Sequence, residues 1–224
     1  MVLLEFREPM FHYDMMGYLD VLVARYKFLR VIYIGKSPHG KSIPAVRIGT
    51  GEKNIIYTAG INGNEILTSA AAMRFINELC EFIRTEQHAY NVGTEYIFRT
   101  RSIYVIPMVN PDSIEMSRFG RIDKNDPDTE HIMAFTDTLS KVKLLTALRL
   151  CGNYISYADI NGEAIRSLAK LYARMTGSII TGFPCVYKCK CGNIPIFDIS
   201  CDDTELFKLY TRLREFLFTA PILC

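Results

Sequence analysis

Apolar positions along the chain follow two alternating rhythms, one of three to four residues and one of short continuous runs. Met15, Tyr18, Leu19, Leu22 and Tyr26 fall on one face of a helix that Asp14 can cap. Residues 31–34 and 43–48 read as strands joined by the turn-forming stretch 35–42, and 54–58 is a further short apolar strand. Ile66, Ala70, Met73, Ile76, Leu79 and Ile83 then recur at helical spacing. The run 102–109 has the character of a strand buried on both faces. Ile132, Phe135, Leu139, Val142 and Leu145 predict a helix from Thr129 to about Leu150. A strand at Tyr154–Tyr157, a helix over 164–175 stopped by Gly177, a strand over 195–199 and a closing helix over 203–218 complete the pattern.

Strands and helices in alternation predict an α/β fold. The expected architecture is a mixed, largely parallel twisted sheet with helices on both faces, in one domain spanning 1–224. Ligand sites in such sheets lie at the carboxyl ends of strands. That rule brings the segments 60–65, 110–113, 158–163 and 200–203 toward one another.

Charge narrows the functional classes. The chain has 26 Lys and Arg against 24 Asp and Glu, a net +2, which offers no electrostatic case for a nucleic-acid partner or an anionic membrane surface. No apolar run reaches the roughly 18–20 residues of a membrane span, and the first residues do not have the pattern of a secretory signal. Seven cysteines, an odd number, fit a reducing compartment, so a cytoplasmic location is expected.

Five segments in order carry a family resemblance. They are Ile34-Gly-Lys-Ser-Pro-His-Gly-Lys-Ser-Ile43, Ala59-Gly-Ile-Asn-Gly-Asn-Glu65, Ile106-Pro-Met-Val-Asn-Pro-Asp-Ser113, Ile155-Ser-Tyr-Ala-Asp-Ile-Asn-Gly-Glu163 and Ile194-Pro-Ile-Phe-Asp-Ile-Ser200. Together they resemble the zinc metallocarboxypeptidases of the carboxypeptidase A/T type. Within that family the likeness is to the bacterial γ-D-glutamyl–diaminopimelate endopeptidases. The resemblance implies a zinc held by two imidazoles and a carboxylate, with a glutamate as general base for the metal-bound water.

The residues depart from that pattern. Matched to the family motifs, the first imidazole position is Asn62, the carboxylate ligand is Glu65, the second imidazole position is Asp159 and the general-base position is Ser200. Only Glu65 keeps its chemistry. A longer family segment that carries an oxyanion arginine and a carboxylate-gripping pair is reduced to a few residues between Gly120 and Pro127. Arg118 and Arg121 lie near it but in no matching motif, as solvated loop arginines would.

These departures point to a catalytically inactive relative whose cleft binds a peptide or a peptidoglycan-derived fragment. The alternative is an active metallopeptidase with a rebuilt site, in which Asp202 or Asp203 serves as base. The oxygen-only set Asn62, Glu65 and Asp159 suits a weakly bound Ca²⁺, Mg²⁺ or Mn²⁺ better than zinc; a metal-free polar cluster is the other reading. Asn110 and Asp112 are candidate cleft residues. Cys185, Cys189, Cys191 and Cys201 are either a second metal site or ordinary thiols.

Overall fold

A computed structural model describes residues 9–89, 92–121, 129–157, 163–181 and 195–224. The first helix, α1 (His12–Arg25), buries Met15, Leu19 and Leu22. Phe11 rather than Asp14 is its N-cap residue; Asp14 lies three residues on, and its Oδ2 accepts the Phe11 N–H at 3.3 Å. An antiparallel hairpin follows, β1 (Arg30–Lys36) with β2 (Ser42–Ile48), as expected from the two flanking apolar runs. Its tip is closed by Ser37 and Lys41, with Gly40 at φ +82°.

Next come β3 (Lys53–Thr58) and α2 (Ile66–Arg84), then the two-residue strands β4 (His88–Ala89) and β5 (Val92–Gly93), the short α3 (Thr94–Thr100) and β6 (Arg101–Ile106). After β6 are α4 (Pro111–Ser117), α5 (Glu130–Asp137), β7 (Val142–Arg149) and β8 (Tyr154–Tyr157). The chain closes with α6 (Glu163–Thr176), β9 (Ile179–Thr181), β10 (Ile196–Ser200) and α7 (Leu206–Leu223). Gly177, at φ +72°, ends α6 and donates its N–H to Ala173.

The helix expected from Thr129 to Leu150 is a helix and a strand. α5 stops at Asp137, Lys141 takes a left-handed φ of +51°, and β7 begins at Val142. Asn54 fixes this break, its N–H donating to Lys141 O at 3.1 Å and its side-chain amide to Ser140 O. Five residues in a row, Leu144 to Leu148, are buried because β7 is interior to the sheet, and a run without alternation has no period that tells helix from strand.

Among the described residues eight strands form one sheet in the order β1-β2-β6-β3-β7-β10-β8-β9, and four of its seven pairings are parallel. Successive side chains of the central strands enter opposite cores. Ile55, Tyr57, Val105 and Leu144 face α1, α2, α6 and α7, whereas Ile56, Tyr104, Ile106 and Leu145 face α5. Helices thus cover both faces, and the parallel centre β6-β3-β7-β10 brings four carboxyl strand ends to one edge.

Candidate functional site

The site grows from the turn between β3 and α2. After β3 the chain keeps contact with the continuation of β6: Ala59 N–H donates to Ile106 O, Val109 N–H to Ala59 O and Asn110 N–H to Gly60 O, all at 2.9–3.0 Å. Gly60 then turns with φ +59°, and its N–H donates to Thr68 Oγ1 at 3.0 Å. Gly63 runs so close to α4 that an added Cβ would stand 2.6 Å from Ser113 O. These contacts place Glu65 at the entrance to α2 with its side chain fully buried.

Four donors converge on the Glu65 carboxylate. Oε2 accepts the Ile61 N–H at 3.2 Å and the Asn62 N–H at 3.0 Å. Oε1 accepts Arg149 Nε at 2.7 Å and the Leu150 N–H at 3.4 Å. A carboxylate offers about four acceptor positions, so this one is filled by the protein itself. Arg149 stands at the last position of β7, with 12% of its side chain exposed. Burial works against its charge, but Glu65 outweighs burial and the guanidinium pKa is raised.

Ser200 ends β10 in register with Arg149 on one side and Tyr154 on the other. Its Oγ accepts the Cys151 N–H at 2.9 Å and donates to Cys151 Sγ at 3.5 Å. Cys151 is exposed, and its sulfur lies 3.3 Å from the Tyr154 hydroxyl. The Glu65–Arg149 and Cys151–Ser200 contacts are therefore neighbours at the ends of β7 and β10, where Arg149 and Ser200 stand in register.

The other expected site residues are placed differently. Asn62 is half-buried and meets Glu65 through its backbone N–H. Asn110 N-caps α4, its Oδ1 accepting the Ser113 N–H at 3.0 Å. Asp112 binds Lys41 Nζ at 2.7 Å and the His39 ring at 2.9 Å, so both its oxygens serve the β1–β2 hairpin. Asp159 lies outside the described residues. The strand before it, β8, runs antiparallel to β10, with Tyr154 opposite Ser200 and Tyr157 opposite Phe197, and so leads away from the edge that holds Glu65.

Cys185, Cys189 and Cys191 also lie outside the described residues. Cys201 is buried with its sulfur 3.7 Å from the Tyr172 hydroxyl, and burial pushes its thiol pKa up to about 11. Asp202 and Asp203 both pair with Arg212 of α7, at 3.6 and 3.3 Å. Arg118 stacks over the Phe11 ring, with Cζ 4.0 Å from its centroid, and Arg121 is exposed. Among the described residues no group of three or more His, Cys, Asp or Glu side chains is arranged to hold a metal ion.

Arg149 is the site residue that the apolar pattern hides. Its signal in the sequence is a charge that closes the run Leu144-Leu-Thr-Ala-Leu148, the mark of a strand end, and reading that stretch as a helix erases it.

Among the described residues the donor set does not fit zinc: its one carboxylate of the family type is filled by four protein donors, one of them the Arg149 guanidinium.

A curated relative, the gamma-D-glutamyl-L-diamino acid endopeptidase 1 of Lysinibacillus sphaericus, is 29% identical over 102 residues, which are 46% of this chain and 26% of that protein. The matched stretch is thus about a quarter of the relative's length. The solved structure of thrombin activatable fibrinolysis inhibitor superposes with a TM-score of 0.71 at 11% identity, covering 96% of this chain and 74% of the other. A metallo-carboxypeptidase from Burkholderia cenocepacia gives a TM-score of 0.70 at 11% identity, covering 97% and 70%. At that identity the two structures speak for the fold. Among the described residues no helix is long and apolar enough to cross a membrane. The zinc carboxypeptidase family model matches residues 15–158, well over half of the sequence, and the chain belongs to that family.

Proposed function

We propose that this chain is a non-hydrolytic member of the zinc carboxypeptidase family that keeps the fold as a scaffold for binding peptides. The observation that carries this reading is at Ser200. In the matched motif this position belongs to the general base, and here a neutral hydroxyl accepts the Cys151 N–H at 2.9 Å and donates to Cys151 Sγ. A serine so engaged takes no proton from water. Losing a positioned base costs on the order of 10²–10⁴ in rate. The rebuilt-site alternative needs Asp202 or Asp203 as the replacement base, and both are turned to Arg212.

The ligand class follows from the relative whose name specifies γ-D-glutamyl-L-diamino acid bonds. A peptide of that chemistry, with its several carboxylates, is the first to test. Calorimetric titration with L-Ala-γ-D-Glu-diaminopimelate is expected to show saturable binding, and chromatography of the mixture after prolonged incubation with Zn²⁺ to show intact peptide. Product that accumulates in proportion to protein, and is lost in Asn62→Ala, would overturn the non-hydrolytic reading. Absence of saturable binding would remove this peptide class as ligand.

A further inference from the structure

A glutamate with no exposed surface must have its charge balanced, because an unpaired buried carboxylate is among the most destabilising groups a fold can hold. Among the described residues three buried or nearly buried glutamates meet this demand with arginine. Glu81 is paired with Arg25 and Arg84, Glu78 with Arg214, and Glu65 with Arg149. The first two pairs bind helices together. The third lies at the strand ends, on the one carboxylate that the family motif assigns to a metal.

We propose that Arg149 is a built-in replacement for the metal: a tethered cation that neutralises Glu65, fastens the entrance of α2 to the end of β7, and closes the site to divalent ions. Three observations support this. The contact is short, 2.7 Å, and its partners are 12% and 0% exposed, so the carboxylate has no bulk water as an alternative and the guanidinium little. The remaining acceptor positions of Glu65 are taken by the Ile61, Asn62 and Leu150 backbone N–H groups, so a metal would have to displace donors that the fold holds in place. A dication on that carboxylate would also stand beside a guanidinium that does not lose its proton, and the like charges oppose its entry.

The arrangement has a consequence that a metal site lacks. A chelator cannot remove the cation, so the turn between β3 and α2 keeps its shape whatever metal the solution contains. The Glu65–Arg149 pairing is independent of whether the protein hydrolyses peptides.

The test uses the full chain as wild type, Glu65→Gln, Arg149→Met and the double variant. Thermal melts and elemental mass spectrometry after dialysis against Zn²⁺ are the readouts. Wild type is expected to retain no stoichiometric zinc and to melt at the same temperature with Zn²⁺ or a chelator. Arg149→Met strands a buried charge and is expected to melt about 10 °C lower. The double variant removes both charges and is expected to regain at least half of that loss. If Arg149→Met fails to fold while the double variant folds, the same coupling is shown. Losses that simply add in the double variant, or one equivalent of zinc in wild type that vanishes in Glu65→Gln, would overturn the proposal. Hydrolysis by a zinc-free wild type would overturn the functional reading while leaving this pairing intact.

Discussion

Both carboxylate oxygens of Asp112 are turned to the hairpin tip, Oδ1 to Lys41 Nζ and Oδ2 to the His39 N–H and ring. Burial alone would raise this pKa, but the Lys41 and His39 hydrogen bonds outweigh it and bring the value down from 3.8 to about 2. The folded value lies below the unfolded one. The stabilisation is therefore complete above about pH 4 and is lost as pH falls toward 2. A shift of that size corresponds to about 2 kcal/mol. Asp112→Asn is expected to lose roughly that much at pH 6 and little or nothing at pH 2, where wild type has lost it too. Urea titrations of both proteins at pH 6, 4 and 2 check this, and a pH-independent difference would refute it. Glu81, whose pKa is lowered to about 2 chiefly by Arg84, weakens in the same window, which is why the variant is read as a difference from wild type.

Among the elements, the turn from β3 into α2 is the most constrained. Gly60 is left-handed at φ +59°, and a Cβ there would lie 2.3 Å from Ser69 Oγ and 3.1 Å from Met108 Cα. Gly60→Ala combines backbone strain with a collision and is expected to cost about 1–3 kcal/mol. Gly17 is its control. It is exposed inside α1 with nothing within 4 Å of an added Cβ, so Gly17→Ala is expected to stabilise by about 0.5–1 kcal/mol. Opposite signs in denaturant midpoints support the geometry, and a loss at both positions would not.

The molecule as a whole is held together by buried ion pairs as well as by the sheet. Glu78 of α2 accepts Arg214 Nε and Nη2 at 2.8–2.9 Å on Oε1, and the Tyr210 hydroxyl on Oε2, both from α7. On the same helix Glu81 accepts Arg25 Nη2 at 3.2 Å from α1 and the Tyr26 hydroxyl at 2.9 Å. The first and last helices are thus docked onto α2 by its two acids. Arg214→Met leaves Glu78 buried without a cation, and the expected loss is about 3–5 kcal/mol. A calorimetric melt checks it, and a shift under 2 °C would show that solvent reaches Glu78 instead.

Much of the molecule was legible in the sequence. Met15, Leu19 and Leu22 mark α1, the 66–83 stripe marks α2, and the runs 43–48 and 54–58 mark β2 and β3, because each buries one face or one short segment and so leaves its period on the page. The motifs within 34–113 lie inside the stretch that the family model matches, and that Asn62 and Ser200 are neither imidazole nor carboxylate is plain from their residue types. What tertiary structure decided is the partner of each polar group. β7 is a strand because β3 and β10 flank it, and nothing local in Leu144–Leu148 encodes that choice. Asp112 serves a hairpin 71 residues away and Glu65 an arginine 84 residues away, distances over which spacing carries no information. A carboxylate is written in the sequence as a charge, but whether a metal or a guanidinium balances it depends on which strand end the folded sheet brings beside it.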